Sequence, residues 1–255
     1  MTVTTTTPGT RTRGTRTTRR TDWSAADARG PRRHQADAAA GFTGRDGRRA
    51  VAVADGVGDS PAAARAARIA ADHAVRTAVL DGRADLAVLA ARDVLLGAGL
   101  PGDAALTVAL GPDARLAEPT WTVAWVGDVR ALAVVDGRPQ PLTRDHSVGA
   151  AMRAAGVEVA PRMDHVLTTS VRTVRGAVEI GLTVIAEPDA LVLATDGVHR
   201  ALDPDTLAGL CAAVPAAHLP RALVAAATAA DTHDNATALV VVAGARPVVP
   251  EPRRG

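Results

Sequence analysis

Acidic residues standing at the ends of apolar runs are the chemistry-bearing feature of this chain. Five Asp-Gly pairs occur, beginning at positions 46, 55, 81, 136 and 196. Asp46-Gly47 and Asp136-Gly137 lie between strand-like runs, where a hairpin turn accounts for them. Asp81-Gly82 follows a helical stretch, and Gly is the ordinary residue just past a helix end. The pairs at 55 and 196 differ. VAVADGV and LVLATDGV are near copies, each an apolar run that ends in Asp-Gly and leads towards a helix. Either pair taken alone also fits an Asp that caps the helix after it.

A carboxylate at the end of a buried strand is rigidly aimed, and the Gly after it lets backbone approach a ligand closely. Hard divalent cations such as Mg²⁺ and Mn²⁺ take such oxygens, from carboxylates and from carbonyls. Three further acidic residues share the placement. Asp128 stands behind Gly127 between two apolar runs, Asp234-Asn235 immediately precedes the last apolar run, and Asp37 lies just before the first. Each alone reads as a turn residue. Together they are placed so that carboxylates from distant positions can meet at one edge of a sheet.

The elements that would position them follow from periodicity and punctuation. Ala38 to Phe42 reads as a strand turning at Arg45-Asp46-Gly47, and Arg49 to Ala54 as a buried strand. Ser60 is a good N-cap with Pro61 at the first helical position, so a helix is expected from there to Asp81-Gly82. A second helix spans Ala84 to Leu96. Short strands are then expected at 105–110, 120–126, 130–135 and 139–142, a short helix at 148–155, and irregular chain to about His165. Weaker strand signals cover 167–174 and 182–185, and a strong one covers 190–194. Helices near 204–214 and 218–230 and a closing strand in ATALVVVAG complete the pattern. Strands in consecutive hairpins with helices grouped in pairs predict an α+β fold, with helical layers on both sides of antiparallel sheets.

Composition narrows the class. With 255 residues, 47% hydrophobic content and only 2% aromatic residues, the core must be built from Ala, Val and Leu. All 29 basic residues are Arg. Residues 1–22 form a Thr/Arg-rich leader expected to be disordered, as is the Pro-rich tail 246–255, which leaves one domain over 23–245. No binding motif accompanies the Arg-rich leader, so no nucleic-acid partner is expected. Cys211 is the only cysteine, which excludes an intrachain disulfide framework and suits a reducing compartment. No apolar segment approaches the roughly 20 residues that span a bilayer, and the leader lacks an apolar secretory core. A cytoplasmic monomer without membrane contact is the expectation.

In order and local sequence these motifs resemble the metal-dependent protein phosphatases of type 2C, the PPM family, over about residues 24–244. ADGVGDS resembles the family's Asp-Gly-x-Gly-Gly turn. VGDVRALAVVDGRPQPLTRDHS resembles its Gly-Asp-Ser-Arg segment, the hairpin after it and the Thr-x-Asp-His/Asp stretch. LVLATDGV resembles the Ser-Asp-Gly segment, and DNATALVVV the closing Asp-Asn-x-Thr-Val-Val-Val.

The resemblance implies two packed antiparallel β-sheets flanked by pairs of helices. It also implies hydrolysis of phosphoserine and phosphothreonine in a phosphorylated protein, by a water activated between two Mn²⁺ or Mg²⁺ ions. Carried over by position, Asp55 would bridge both ions and the Gly56 carbonyl would bind one. Asp196 and Asp234 would hold the other, and Asp37 would ligate an ion or its water. Asp128 matches the ligand of a weaker third ion, and Arg32 matches the arginine that grips the substrate phosphate. A Ser/Thr kinase is the implied opposing partner, and the stretch from about Val148 to His165 corresponds to the family's variable flap. Several residues depart from the pattern: Gln35, Ala36, Val57, Asp59 and Val129. Ala36 and Asp59 support the alternative, a catalytically weakened phosphatase-like module that binds a kinase or phosphoprotein. Retention of every metal-site carboxylate argues for the enzyme.

Overall fold

The computed structural model describes residues 23–113, 120–186 and 188–242. The leader 1–22 and the tail 246–255 lie outside the described residues. The chain runs β1 (Trp23–Ala28), β2 (Asp37–Thr43), β3 (Arg49–Gly56), α1 (Pro61–Asp81), α2 (Ala84–Gly97), β4 (Ala104–Leu110), β5 (Thr120–Val126), β6 (Arg130–Val135), β7 (Arg138–Pro141) and α3 (Val148–Ala154). After two 3₁₀ turns it continues through β8 (Gly181–Ala186), β9 (Ala190–Ala194), α4 (Asp196–His199), α5 (Pro204–Ala213), α6 (Leu219–Ala229) and β10 (Ala236–Val242).

The strands make two five-stranded sheets, ordered β1-β10-β9-β6-β7 and β2-β3-β4-β5-β8, and every pairing is antiparallel. Each sheet has one face on the other sheet and one face on helices. That is why the central strands read as continuous apolar runs rather than as alternating ones. Along β3, Val51 and Val53 enter the layer between the sheets beside Leu191, Leu193 and Leu239. Ala50, Ala52 and Ala54 point the other way, into the layer under α1 and α2. The opposite sheet packs Val192, Ala238 and Val240 against Leu219, Leu223 and Ala227 of α6.

The scarcity of aromatic residues shapes this packing. Nine residues of α1 are buried, and seven of them are alanines at helical spacing: Ala63, Ala66, Ala67, Ala70, Ala71, Ala74 and Ala78. The helix starts where expected, with the Ser60 hydroxyl accepting from the Ala63 amide at 3.1 Å, and ends at Gly82 in the left-handed conformation. Trp121 and Trp125, on one face of β5, lie in the layer between the sheets and are core residues.

Two expectations need correction. β1 was not anticipated, because WSAADA is a half-exposed edge strand bonded on one side only. The stretch 167–174 is not a strand. Leu167 makes one isolated bridge to Ser147, and the chain then turns. The turn is held by local side chains: the Ser170 amide donates to Thr173 Oγ1 at 2.8 Å, and Ser170 Oγ donates to Asp103 Oδ2 at 2.6 Å. Hydroxyl side chains that satisfy nearby backbone compete with ladder formation.

Because α1 is seated on methyl groups, a longer side chain on that face has no space to enter. Ala70→Leu is expected to lower unfolding free energy by about 1–3 kcal/mol, read as a lower urea midpoint at unchanged slope. A neutral or stabilising result would mean that the helix is not closely seated.

Candidate active site

The antiparallel order brings the acidic residues to one end of the gap between the sheets. In one sheet that end collects the start of β2, the end of β3, the start of β4 and the end of β5. In the other it collects the end of β1, the start of β10, the end of β9 and the start of β6. Asp37 and Asp55 are direct cross-strand partners. Asp55 continues the inward alternation of Val51 and Val53, so its carboxylate falls on the layer between the sheets. Asp128 follows β5, Asp196 opens α4 directly after β9, and Asp234 stands just before β10. Arg32, Asp55, Gly56, Asp128, Asp196 and Asp234 line one open cleft of about 170 Å³, with Val57, His165 and Leu167 on its rim.

Both Asp-Gly pairs need their glycine for close approach. A Cβ on Gly56 would lie 2.5 Å from the Ala63 carbonyl oxygen and 2.8 Å from that of Ala36. A Cβ on Gly197 would overlap the Asn235 carbonyl. The strand-to-helix corners at 56 and 197 are therefore packed directly on the backbone of the neighbouring motif, and ordinary capping does not explain them.

Electrostatically the site is an anionic ring withdrawn from water. Burial pushes the Asp37 carboxyl up to about 7, assisted by Asp196 and Asp234 and opposed by the Thr237 and Thr195 hydroxyls. Asp55 is raised well above the usual carboxylate range by burial first and then by Asp37, Asp196, Asp128 and Asp234. Asp128 is raised to about 7 by burial and by Asp196, with Arg200 working against the shift. Asp234 is raised by burial and by Asp196, against its bond from the Asn235 amide and the pull of Arg32. Partners are uneven. Asp37 Oδ2 accepts from the Thr195 hydroxyl at 2.9 Å, while buried Asp37 Oδ1 and Asp196 Oδ1 have no hydrogen-bond partner.

Such a set of hard oxygen donors suits divalent cations, and the two orphaned oxygens are where a cation would satisfy it. Among the described residues, no three His, Cys, Asp or Glu side chains are gathered tightly enough to hold an ion in their present positions. Arginines account for the opening. Arg32 pairs with Asp234, and Arg200 pairs with Asp128 and Asp196.

Arg32 is held in place from two sides. Its loop between β1 and β2 is gripped by Asn235, whose Nδ2 donates to the carbonyls of Arg29 and His34 and whose Oδ1 accepts from the Ala36 amide. On the other side the Asp59 carboxylate accepts from the Arg33 and His34 amides, both at 2.9 Å, and meets His34 Nδ1 at 3.0 Å. Asp59 is thus a clamp on the Arg32 loop, a positive role for the least expected residue in the first motif. The other departures are also accounted for. Val129 packs between the sheets while its carbonyl accepts from Thr107 Oγ1 at 2.6 Å. Ala36 acts through its backbone, whose carbonyl accepts from the Gly56 amide at 3.1 Å. Gln35 reaches Asp27 at 3.0 Å, and Val57 is half exposed at the rim.

Three residues were missed from sequence. Arg200 donates to Asp128 Oδ2 at 2.6 Å and lies 3.0 Å from Asp196 Oδ2. Its position four residues after Asp196 was the available signal. His165 Nδ1 accepts from Arg200 at 2.7 Å, and its 3.6 Å separation from Asp196 is too long for a hydrogen bond. Buried His199 donates from Nε2 to the Asp128 carbonyl at 2.9 Å, and burial holds its pKa down to about 4. The two ends of the VGDVRALAVVDGRPQPLTRDHS stretch are joined by Arg130, which bonds both oxygens of Asp145 at 2.8 and 2.9 Å.

The amide bonds from Arg33 and His34 depress the Asp59 pKa to about 2, so the clamp persists above the normal carboxylate range and is lost only as pH falls towards that value. Asp59→Ala should speed hydrogen exchange at the Arg33 and His34 amides at neutral pH while leaving β3 protected. Equal exchange in both proteins would remove the clamp. The ring carries the opposite sign. Asp37, Asp55, Asp128 and Asp234 bind protons more tightly folded than unfolded. Among the described groups that oppose them, the lowered carboxylates such as Asp59 and Asp145 titrate below about pH 5, which leaves His199 and His146 within the interval from about 5 to 8. Thermal stability of metal-free protein should therefore fall as pH rises from about 5 to 8, and Mn²⁺ should stabilise more at the upper end. A melting temperature that rises over this interval would contradict the ring's electrostatics.

No protein-family model and no curated protein matches the sequence. Solved structures do match. A bacterial serine phosphatase carrying an Arg-to-Lys substitution superposes with a TM-score of 0.76 at 17% identity, over 89% of this chain and 100% of that one. The serine/threonine phosphatase Stp1 of Staphylococcus aureus gives 0.74 at 16% identity, over 88% and 96%. The catalytic domain of the serine/threonine phosphatase PstP, solved in complex with two manganese ions, gives 0.68 at 20% identity, over 86% and 96%. The two five-stranded antiparallel sheets and their flanking helices are the fold of the bacterial PPM-type serine/threonine phosphatases.

Proposed function

We propose that this chain is a metal-dependent phosphoprotein phosphatase acting on phosphoserine and phosphothreonine. One observation carries the reading: Asp55, Asp128, Asp196 and Asp234 line one cleft together with Arg32, and buried Asp37 stands directly across the strand pair from Asp55. An anionic ring of this kind without a cation is a poor way to stabilise a fold, and with Mn²⁺ or Mg²⁺ it becomes a site for a phosphate dianion. Two ions would be held by Asp37, Asp55, the Gly56 carbonyl, Asp196 and Asp234. The presence of two manganese ions in the PstP complex supports that number and that metal. Bound divalent ions supply Lewis-acid polarisation of the phosphoryl oxygens and of the attacking water.

The chain's own residues do the rest. Arg32, now on Asp234, offers a planar fork that pairs bidentately with a phosphate once one is present. Asn235 and Asp59 fix the loop so that the fork is already aimed. At the rim, Val57 leaves the cleft open to solvent, so the leaving seryl or threonyl oxygen takes its proton from water. Among the described residues no Cys or Ser lines the cleft, and water attacks phosphorus directly. The substrate is supplied by a protein kinase, the reaction class that makes phosphoserine and phosphothreonine. The 148–165 segment borders the cleft through His165 and is where substrate choice would reside.

The test is Mn²⁺-dependent release of phosphate from p-nitrophenyl phosphate and from a phosphothreonine peptide. Asp196→Asn should reduce kcat/KM by more than the roughly 10–100-fold typical for loss of an outer-shell partner of a metal. Wild-type turnover no faster than the variant's would leave a phosphoprotein-binding module as the reading.

A further inference from the structure

Arg200 stands in the acidic ring in a way that the proposed chemistry does not use. Its side chain is only 22% exposed, and the carboxylates that it bridges are more deeply buried, Asp128 at 8% and Asp196 at 10%. One guanidinium nitrogen donates to Asp128 Oδ2 at 2.6 Å and to the Asp164 carbonyl at 2.9 Å. The other lies 3.0 Å from Asp196 Oδ2 and donates to His165 Nδ1 at 2.7 Å. The division of Asp196 is informative. Oδ2 faces Arg200, while buried Oδ1 is left without a partner on the rest of the ring.

A divalent ion between Asp128 and Asp196 would have to displace a fixed positive charge already bonded to both. Arginine does not give up its proton, so the competition cannot be relieved by pH. We infer that Arg200 is a built-in cation of the ring, filling the place between Asp128 and Asp196 Oδ2 and restricting the site to two ions, which Asp37, Asp55, Asp234 and the unpartnered Asp196 Oδ1 would hold. The same guanidinium fastens the turn at Asp164 and His165, so the segment beside the cleft is tied to the ring by protein rather than by an exchangeable ion. The inference rests on the metal-dependent reading above.

Stoichiometry of Mn²⁺ binding, by calorimetry and by loss of the free-Mn²⁺ electron paramagnetic resonance signal, tests it on the full chain. Wild type should bind two ions, and Arg200→Lys, which keeps the charge, should also bind two. Arg200→Met should gain a third, weaker ion, and adding Asp128→Asn to that variant should remove it. Asp128→Asn in the wild-type background should leave the count at two with less than a twofold change in affinity, a measurement that stands even if Arg200→Met does not fold. A third ion in wild type that Asp128→Asn abolishes would overturn the inference and leave the phosphatase reading intact. An unchanged count in folded Arg200→Met would do the same. No bound Mn²⁺ in any of these proteins would overturn both.

Discussion

Withdrawal of a ring of carboxylates from water, with their mutual repulsion added to it, is the constraint around which this molecule is arranged. Asp37, Asp55, Asp128, Asp196 and Asp234 come from both sheets and meet at the end of the layer between them. Isolated charges so placed would be strongly disfavoured, and the raised pKa values of four of them express that cost. The remaining structure supplies the compensation. Hydrophobic burial between the sheets holds the strand ends in place, and the Thr195 hydroxyl donates to Asp37. Arginines neutralise from the rim. What is left over, the unpartnered Asp37 Oδ1 and Asp196 Oδ1, is the part that the proposed metal would complete.

Rigidity is distributed to match. The ring is anchored at the ends of strands in both sheets, with Asp55 on central β3, whereas Arg32, the proposed phosphate ligand, stands on a loop. Loops hold geometry poorly unless their backbone groups are bonded, and here both flanks are. Asn235 binds the loop to the strand that bears Asp234, and Asp59 binds it to the entry of α1. The arginine and the carboxylates that it must work with are therefore referenced to the same two elements.

Much of this could be read from sequence, for a physical reason. Strands β5 and β6 and helix α1 are bounded by residues whose local chemistry ends an element regardless of context: Gly127 after β5, Asp136-Gly137 after β6, Ser60-Pro61 and Gly82 around α1. The five ring aspartates were legible because each interrupts an apolar run at its end. β1 was hidden, since an edge strand of small residues has neither a continuous apolar run nor a strong alternation. Arg200, His199 and the clamping role of Asp59 were hidden for a different reason. Their significance lies wholly in partners far along the chain or on a turn whose helix is too short to show periodicity. Sequence shows which residues have the right chemistry, and only the folded chain shows which of them are already occupied.

The alanine face of α1 ties core mutability to the site. The helix leaves the first Asp-Gly motif after only four residues, and Gly56 lies against the carbonyl of Ala63 in its first turn. A bulkier side chain anywhere on the buried stripe would lift the helix, and its first turn would move with it. The backbone of Gly56 and the carboxylate of Asp59 are attached to that turn. Lineages of this protein should therefore drift freely on the outer surface of α1 while its inner stripe stays small, for the sake of geometry at the cleft as much as for packing.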